Sequence, residues 1–189
     1  MAVKKKPNGV ETLKKDLHAG NPGRLYLLYG EEDYLKKHYL EELKTTLVDE
    51  TFAEFNLVLL EGRGLTPEML SEAVESYPAF AERKLVVVND FDLYKPPAAF
   101  QGMLPELLSD LPDYICLVFY YDTLAFKPDK RTKMHALLDK TACFAEFTHL
   151  DERELIAWVR RRVRALGKDM DQDTCAYLIF LCGTSMTNL

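Results

Sequence analysis

The chain has 189 residues, 48% hydrophobic and 29% charged, with 24 basic against 30 acidic side chains and a formal net charge of −6. That apolar share excludes intrinsic disorder, the nine glycines and nine prolines are too few for a fibrous or low-complexity chain, and no window approaches the ~18–20 apolar residues of a membrane span. The basic opening at residues 1–7 has no apolar stretch behind it; it does not read as a secretory signal, and a cytoplasmic protein with no membrane contact is expected.

In chain order, leucines four apart at Leu13 and Leu17 predict a short helix over 10–19, stopped by Gly20. After Asn21-Pro22-Gly23 the apolar run 24–29 (RLYLLY) predicts a strand. Acidic residues followed by Tyr34, Leu35, Leu40, Leu43 and Leu47 predict a helix over 31–48. Residues 55–60 read as a second strand. Thr66-Pro67-Glu68 then opens a helix over 66–76, with threonine at the cap and proline in the first turn. The run 84–89 (KLVVVN) is a strand by its consecutive valines. A bend at Pro96-Pro97 leads to a helix near 98–110. Residues 114–121 (YICLVFYY), apolar on both faces, predict a central strand. A helix over 130–140 and a short strand over 143–147 complete the alternation. Five strands interleaved with helices predict an α/β fold with an open, mostly parallel five-stranded sheet covered on both faces.

Beyond Leu150 the pattern turns helical. Asp151 caps a helix to about residue 166, with Leu155, Trp158, Val159 and Val163 at helical spacing, and a second helix spans 172–182. This places a boundary near residue 149, between a first domain over 1–149 and the start of a helical domain over 150–189. Gly183-Thr184-Ser185 should open a further helix just where the chain ends, so the sequence reads as a fragment.

At the carboxyl end of the first strand, Gly30-Glu31-Glu32-Asp33 stands where a phosphate-binding loop would need GxxxxGK[ST]. Three carboxylates there would repel phosphate oxygens. Glu32, Asp33 and Asp90, with Asp122 nearby, leave two readings: a receiver-type Mg²⁺ site without its lysine after the fifth strand, or solvated acids capping strand ends and helix starts. The histidines, His18, His38, His135 and His149, are scattered, and no nucleophile set or GxSxG or HExxH spacing occurs. His149 at the boundary reads as a hydrogen-bonding residue. No catalytic residue, resident cofactor or metal site is expected. Cys116, Cys143, Cys175 and Cys182 lack CxxC spacing and read as reduced packing residues.

Two basic clusters are candidates for DNA contact: Lys130, Arg131 and Lys133 opening the helix over 130–140, and Arg160, Arg161 and Arg164 on the helix over 151–166. The net negative charge argues against a large nucleic-acid footprint, and arginines near a helix C-terminus also complement its dipole. Tyr77, Pro78, Ala79 and Phe80 form the segment with the most to offer a partner. Pro78 should end the preceding helix at or before Tyr77, leaving two aromatics around a rigid turn. They could plug a partner's groove or fold back over the sheet edge.

The runs 27–35 (LLYGEEDYL), 80–88 (FAERKLVVV) and 129–133 (DKRTK), in this order and spacing, resemble the delta-subunit family of bacterial DNA polymerase III. The resemblance implies an AAA+-like module without a working ATP site, a helical lid domain, and a C-terminal collar domain that this chain would lack. It implies a DNA-replication role as a clamp-loader subunit that binds the ring-shaped sliding clamp (beta) and opens it for loading on primer-template DNA, without hydrolysing ATP itself. Such a protein belongs to a nucleotidyltransferase holoenzyme while not being the enzyme, and the other loader subunits would join through the C-terminal domain. By position, the family's clamp-inserting hydrophobic pair falls on Ala79 and Phe80, beside Pro78 and Tyr77. Ala79 is smaller than the family's usual residue, which shifts the expected energy onto Phe80. The rival classes are a Mg²⁺-dependent receiver-like signalling domain and a DNA-binding module using the arginine-rich helix.

Overall fold

Residues 8–189 are described by the structure, a computed structural model; the basic opening at 1–7 lies outside the described residues. Helix α1 (Gly9–His18) leads into β1 (Leu25–Gly30) and α2 (Asp33–Leu47). A 3-10 turn (Glu50–Phe52) and one helical turn, α3 (Ala53–Asn56), precede β2 (Leu57–Glu61). Then come α4 (Pro67–Glu75), β3 (Lys84–Asn89), a 3-10 turn (Ala98–Phe100), α5 (Met103–Ser109), β4 (Ile115–Tyr120), α6 (Lys133–Thr141) and β5 (Cys143–Phe147). Helices α7 (Glu152–Ala165) and α8 (Gln172–Cys182) follow.

The five strands form one sheet in the order β2-β3-β4-β1-β5, with every neighbouring pair parallel. The expected mostly parallel sheet is thus wholly parallel. Strand β4 sits at its centre with all six residues buried, as an apolar run without alternation requires. Alternate side chains feed two cores. On one face Leu13 of α1 and Leu40 and Leu43 of α2 cover Leu28, Val87 and Val118. On the other, Leu70 and Val74 of α4, Leu104 and Leu108 of α5 and Leu138 of α6 cover Leu27, Val86 and Leu117. Each fully buried aliphatic contributes about 1.5–3 kcal/mol relative to exposure. A third cluster joins Leu155, Ile156 and Val159 of α7 to Cys175 and Ile179 of α8, with Tyr34 and Leu35 of α2 packed against it.

Four sequence expectations are corrected. Phe55 is not in β2: Asp49 accepts the Thr51 N–H at 2.8 Å and starts two tight turns, so the strand begins only at Leu57. The helix expected over 98–110 is broken, because Pro105 has no N–H and its ring would collide with the carbonyl four residues back; α5 starts at Met103. Lys130 and Arg131 precede α6 rather than lying in it, since Thr132 accepts the His135 N–H at 3.1 Å and sets the helix start. Finally, Gly183 ends α8 with a φ of +81°. The residues after it turn back to bury Met186 against α7 and α8 instead of opening a helix.

Candidate partner-docking turn and the carboxyl edge of the sheet

Between α4 and β3 the chain makes a turn pinned at both ends. Helix α4 stops at Glu75, and Ser76 is extended, with φ −67° and ψ 131°. Pro78 enforces an extended conformation on Tyr77. The Ala79 backbone is held on both sides by the buried Asn56 side chain: its Oδ1 accepts the Ala79 N–H at 2.9 Å and its Nδ2 donates to the Ala79 carbonyl at 2.8 Å. At the far end the Arg83 guanidinium donates to the carbonyls of Pro22, Gly23 and Ile115. Lys84 Nζ donates to Ser76 Oγ at 2.6 Å, closing the base of the turn.

Phe80 lies at the tip with a φ of +57°, the left-handed region. For a bulky L-residue that conformation costs about 1–2 kcal/mol. The residue is nonetheless 83% exposed, its ring stacked on Phe52 with centroids 5.2 Å apart. Tyr77 is 80% exposed and leans on Tyr114 at 4.8 Å, whose hydroxyl donates to the Glu75 carbonyl. Neither ring folds back to seal the sheet. The sequence reading missed Phe52 and Asn56. The signal for Asn56 was a lone amide inside an apolar run, the kind of buried polar group that has to find partners.

At the carboxyl edge of the sheet, Gly30 has a φ of +116°, and a Cβ there would lie 2.2 Å from the Phe147 carbonyl oxygen. Glu32, buried, caps α2: its carboxylate accepts the Tyr34 N–H at 3.3 Å and meets His149 Nδ1 at 3.1 Å. The N-terminus of α2, where a helix would offer its amides to a phosphate, is therefore occupied by the protein's own carboxylate. Lys36 is buried too. Its ammonium donates to the Tyr121 carbonyl and pairs with Asp33, both at 2.8 Å. His149 is thus a hydrogen-bonding residue, as its place in the sequence suggested.

Asp90, at the end of β3, accepts the N–H groups of Asp122, Thr123 and Leu124 and the Thr123 hydroxyl. Burial pushes its carboxyl up, but the Thr123 hydroxyl and these backbone donors outweigh it and hold the group below the usual carboxylate range. Glu32, Asp33 and Asp90 are each engaged by neighbouring protein groups, and among the described residues no cluster of three such ligands is gathered for an ion. The four cysteines are free, with Cys116 and Cys175 buried.

The basic candidates fall on separate elements. Arg131 grips Asp129 with two bonds of 2.9 and 3.0 Å, and that side-chain contact holds the Asp129 carboxyl down to about 2. Lys130 and Lys133 are exposed beside it. On α7, Arg164 approaches Asp169 at 3.4 Å, Arg161 is exposed and Arg160 is half-buried. Arg162, in the same arginine run, lies over the rings of Tyr34 and Trp158 at 5.3 and 5.2 Å and ties α7 to α2.

No helix among the described residues is long and apolar enough to cross a membrane. In sequence, the chain is 24% identical over 183 residues to the DNA polymerase III subunit delta of Bacillus subtilis (strain 168), across 93% of this chain and 52% of that protein. In structure it is similar to the Bacillus subtilis DNA clamp loader delta protein, with a TM-score of 0.75 and 22% identity over 95% of this chain and 54% of the other. A DNA polymerase III gamma subunit-related protein of Thermotoga maritima shares the fold more loosely, with a TM-score of 0.51 and 14% identity over 91% of this chain and 58% of the other. The fold is α/β and AAA+-like, and the chain spans about half the length of the relatives it matches. The family described as DNA polymerase III, delta subunit, matches residues 26–148, well over half of the sequence. By that match the chain belongs to the DNA polymerase III delta-subunit family.

Proposed function

We propose that this chain is the clamp-engaging part of a clamp-loader delta subunit in DNA replication, which docks on a sliding clamp through Tyr77, Pro78, Ala79 and Phe80 and favours the open ring. The observation that carries this reading is Phe80. An aromatic residue 83% exposed, on a backbone conformation unfavourable to it, is stabilised by little within the chain itself. Such a rigid, exposed aromatic suits an apolar pocket on a partner. The wedge need only bind the open-interface ring more tightly than the closed one to shift the population.

The work is mechanical, and the chain itself hydrolyses no ATP. Supporting this are the Glu32 carboxylate on the N-terminus of α2 and the inward-turned, paired Lys36. Other loader subunits would join through the C-terminal domain that the family resemblance implies, and α7 and α8 would begin the lid. Lys130, Arg131, Lys133, Arg160, Arg161 and Arg164 would meet primer-template DNA only in that assembly, in the cytoplasm. Unloading tests the opening step. Added without nucleotide to a clamp closed on nicked circular DNA, the chain should speed clamp release, and its Phe80→Ala variant should not. Release at the spontaneous rate with the parent chain, or equal release with the variant, would contradict the reading.

A further inference from the structure

We infer that Asn56 is the positioning residue of the docking turn: its buried amide fixes the Ala79 backbone so that Phe80 stands in its left-handed conformation on Phe52, presenting two stacked rings as one surface to the clamp. The inference rests on the proposed docking role of Phe80, but the positioning itself is a property of the free chain. Asn56 is 0% exposed and ends the single turn of α3. Both polar ends of its side chain bond to one residue, 23 positions away, which immediately precedes Phe80. The pairing also fixes the amide orientation, since the reverse would set an NH₂ group against the Ala79 N–H and an oxygen against its carbonyl.

The bonds have a directional consequence. With Ala79 held on both sides, the chain must turn sharply to bring Arg83 to its three carbonyls and Lys84 into β3, and the turn falls on Phe80 at a φ of +57°. That backbone aims the ring away from the sheet and onto Phe52, which the 3-10 turn before α3 delivers to the same place. One short segment, residues 50–56, therefore supplies both the latch and the seat for the ring. The small Ala79 side chain agrees with this arrangement: the second large apolar group beside Phe80 is Phe52 rather than its chain neighbour. Preorganising an anchor in its bound geometry removes an ordering cost from association, so loosening the latch should weaken docking only through Phe80.

A double-mutant cycle tests this with the full 189-residue chain. Binding to a sliding clamp is titrated for the parent, Asn56→Ala, Phe80→Ala and the double variant, and nuclear Overhauser contacts between the rings of Phe52 and Phe80 are recorded for free parent and Asn56→Ala. Expected are at least tenfold weaker binding for Asn56→Ala, less than twofold further loss when Phe80 is already Ala, and disappearance of the ring contacts while the remaining spectrum stays folded. Equal losses in both backgrounds, binding within twofold of the parent, or persisting ring contacts would overturn the inference. If Asn56→Ala does not fold, Asn56→Asp replaces it, keeping an acceptor for the Ala79 N–H but losing the donor to its carbonyl. A parent that fails to bind the clamp would defeat the docking role alone, and the ring contacts would still decide the positioning.

Discussion

Phe80 combines an exposed ring with a positive φ, two features that a residue selected only for stability would not combine. Replacing it by glycine removes the left-handed penalty, whereas alanine keeps it, so Phe80→Gly should be more stable than Phe80→Ala by about 1 kcal/mol. Thermal or urea unfolding of the two variants measures this, and equal stabilities would mean that the turn relaxes elsewhere. Asp90 makes a different prediction. Its carboxyl is held below the usual range in the folded chain, so its contribution is complete above the ordinary carboxylate pKa and is lost as pH falls through the lower folded value. Asp90→Asn tolerates the φ of +50° at that position but loses the charge on bonds to Asp122, Thr123 and Leu124. It should cost on the order of 1–2 kcal/mol at pH 7 and flatten the acid limb of a stability profile as pH falls below the ordinary carboxylate range. Sequence made the exposed aromatics at Tyr77 and Phe80 legible, because Pro78 dictates a turn. It hid Phe52 and Asn56, whose roles arise from contacts across 28 and 23 residues.

Among the elements, strands 84–89 and 143–147 and the helix over 172–182 were legible to the residue, the first by its run of consecutive valines. Three of the misread elements have a local competitor to periodicity: the Asp49 cap ahead of β2, Pro105 in α5 and the Thr132 cap of α6. Helix α7 is the counterexample, where the cap was read correctly. Asp151 accepts the Glu154 N–H at 2.8 Å and Glu154 returns a carboxylate to the Asp151 N–H at 3.0 Å. Because α7 packs on α2 through Trp158, Tyr34 and Arg162, fraying its first turn should loosen the join between the sheet and the α7–α8 pair. Asp151→Ala is expected to cost ~1 kcal/mol and to raise amide exchange first at residues 152–156. Protection unchanged there would show that the tertiary contacts alone hold the helix.

For the whole molecule, the parallel sheet with its central fourth strand and two buried faces follows from apolar runs that lack alternation and was legible in the sequence, whereas the order β2-β3-β4-β1-β5 was not. Of the candidate site, residues 77–80 were legible, but the direction the turn faces and the Phe52 and Asn56 side chains that brace it were not. The carboxyl edge carries the same lesson in reverse. The missing phosphate-loop residues were visible in 30–36, but the inward pairing of Lys36 with Asp33 and the Tyr121 carbonyl was not. Millimolar ATP with Mg²⁺ should therefore leave the unfolding midpoint unchanged, because a ligand that does not bind the folded state cannot raise it; a midpoint rising with ATP concentration would reveal a nucleotide site. Nucleotide-free docking of this chain on a sliding clamp through Phe80 is the proposal on which its function turns. Its most direct test is a nucleotide-free calorimetric titration of the chain into a bacterial sliding clamp, beside Phe80→Ala. We predict saturable binding by the parent and a loss of about 2 kcal/mol or more in the variant, whereas binding by the variant within twofold of the parent, or none by the folded parent, would contradict it.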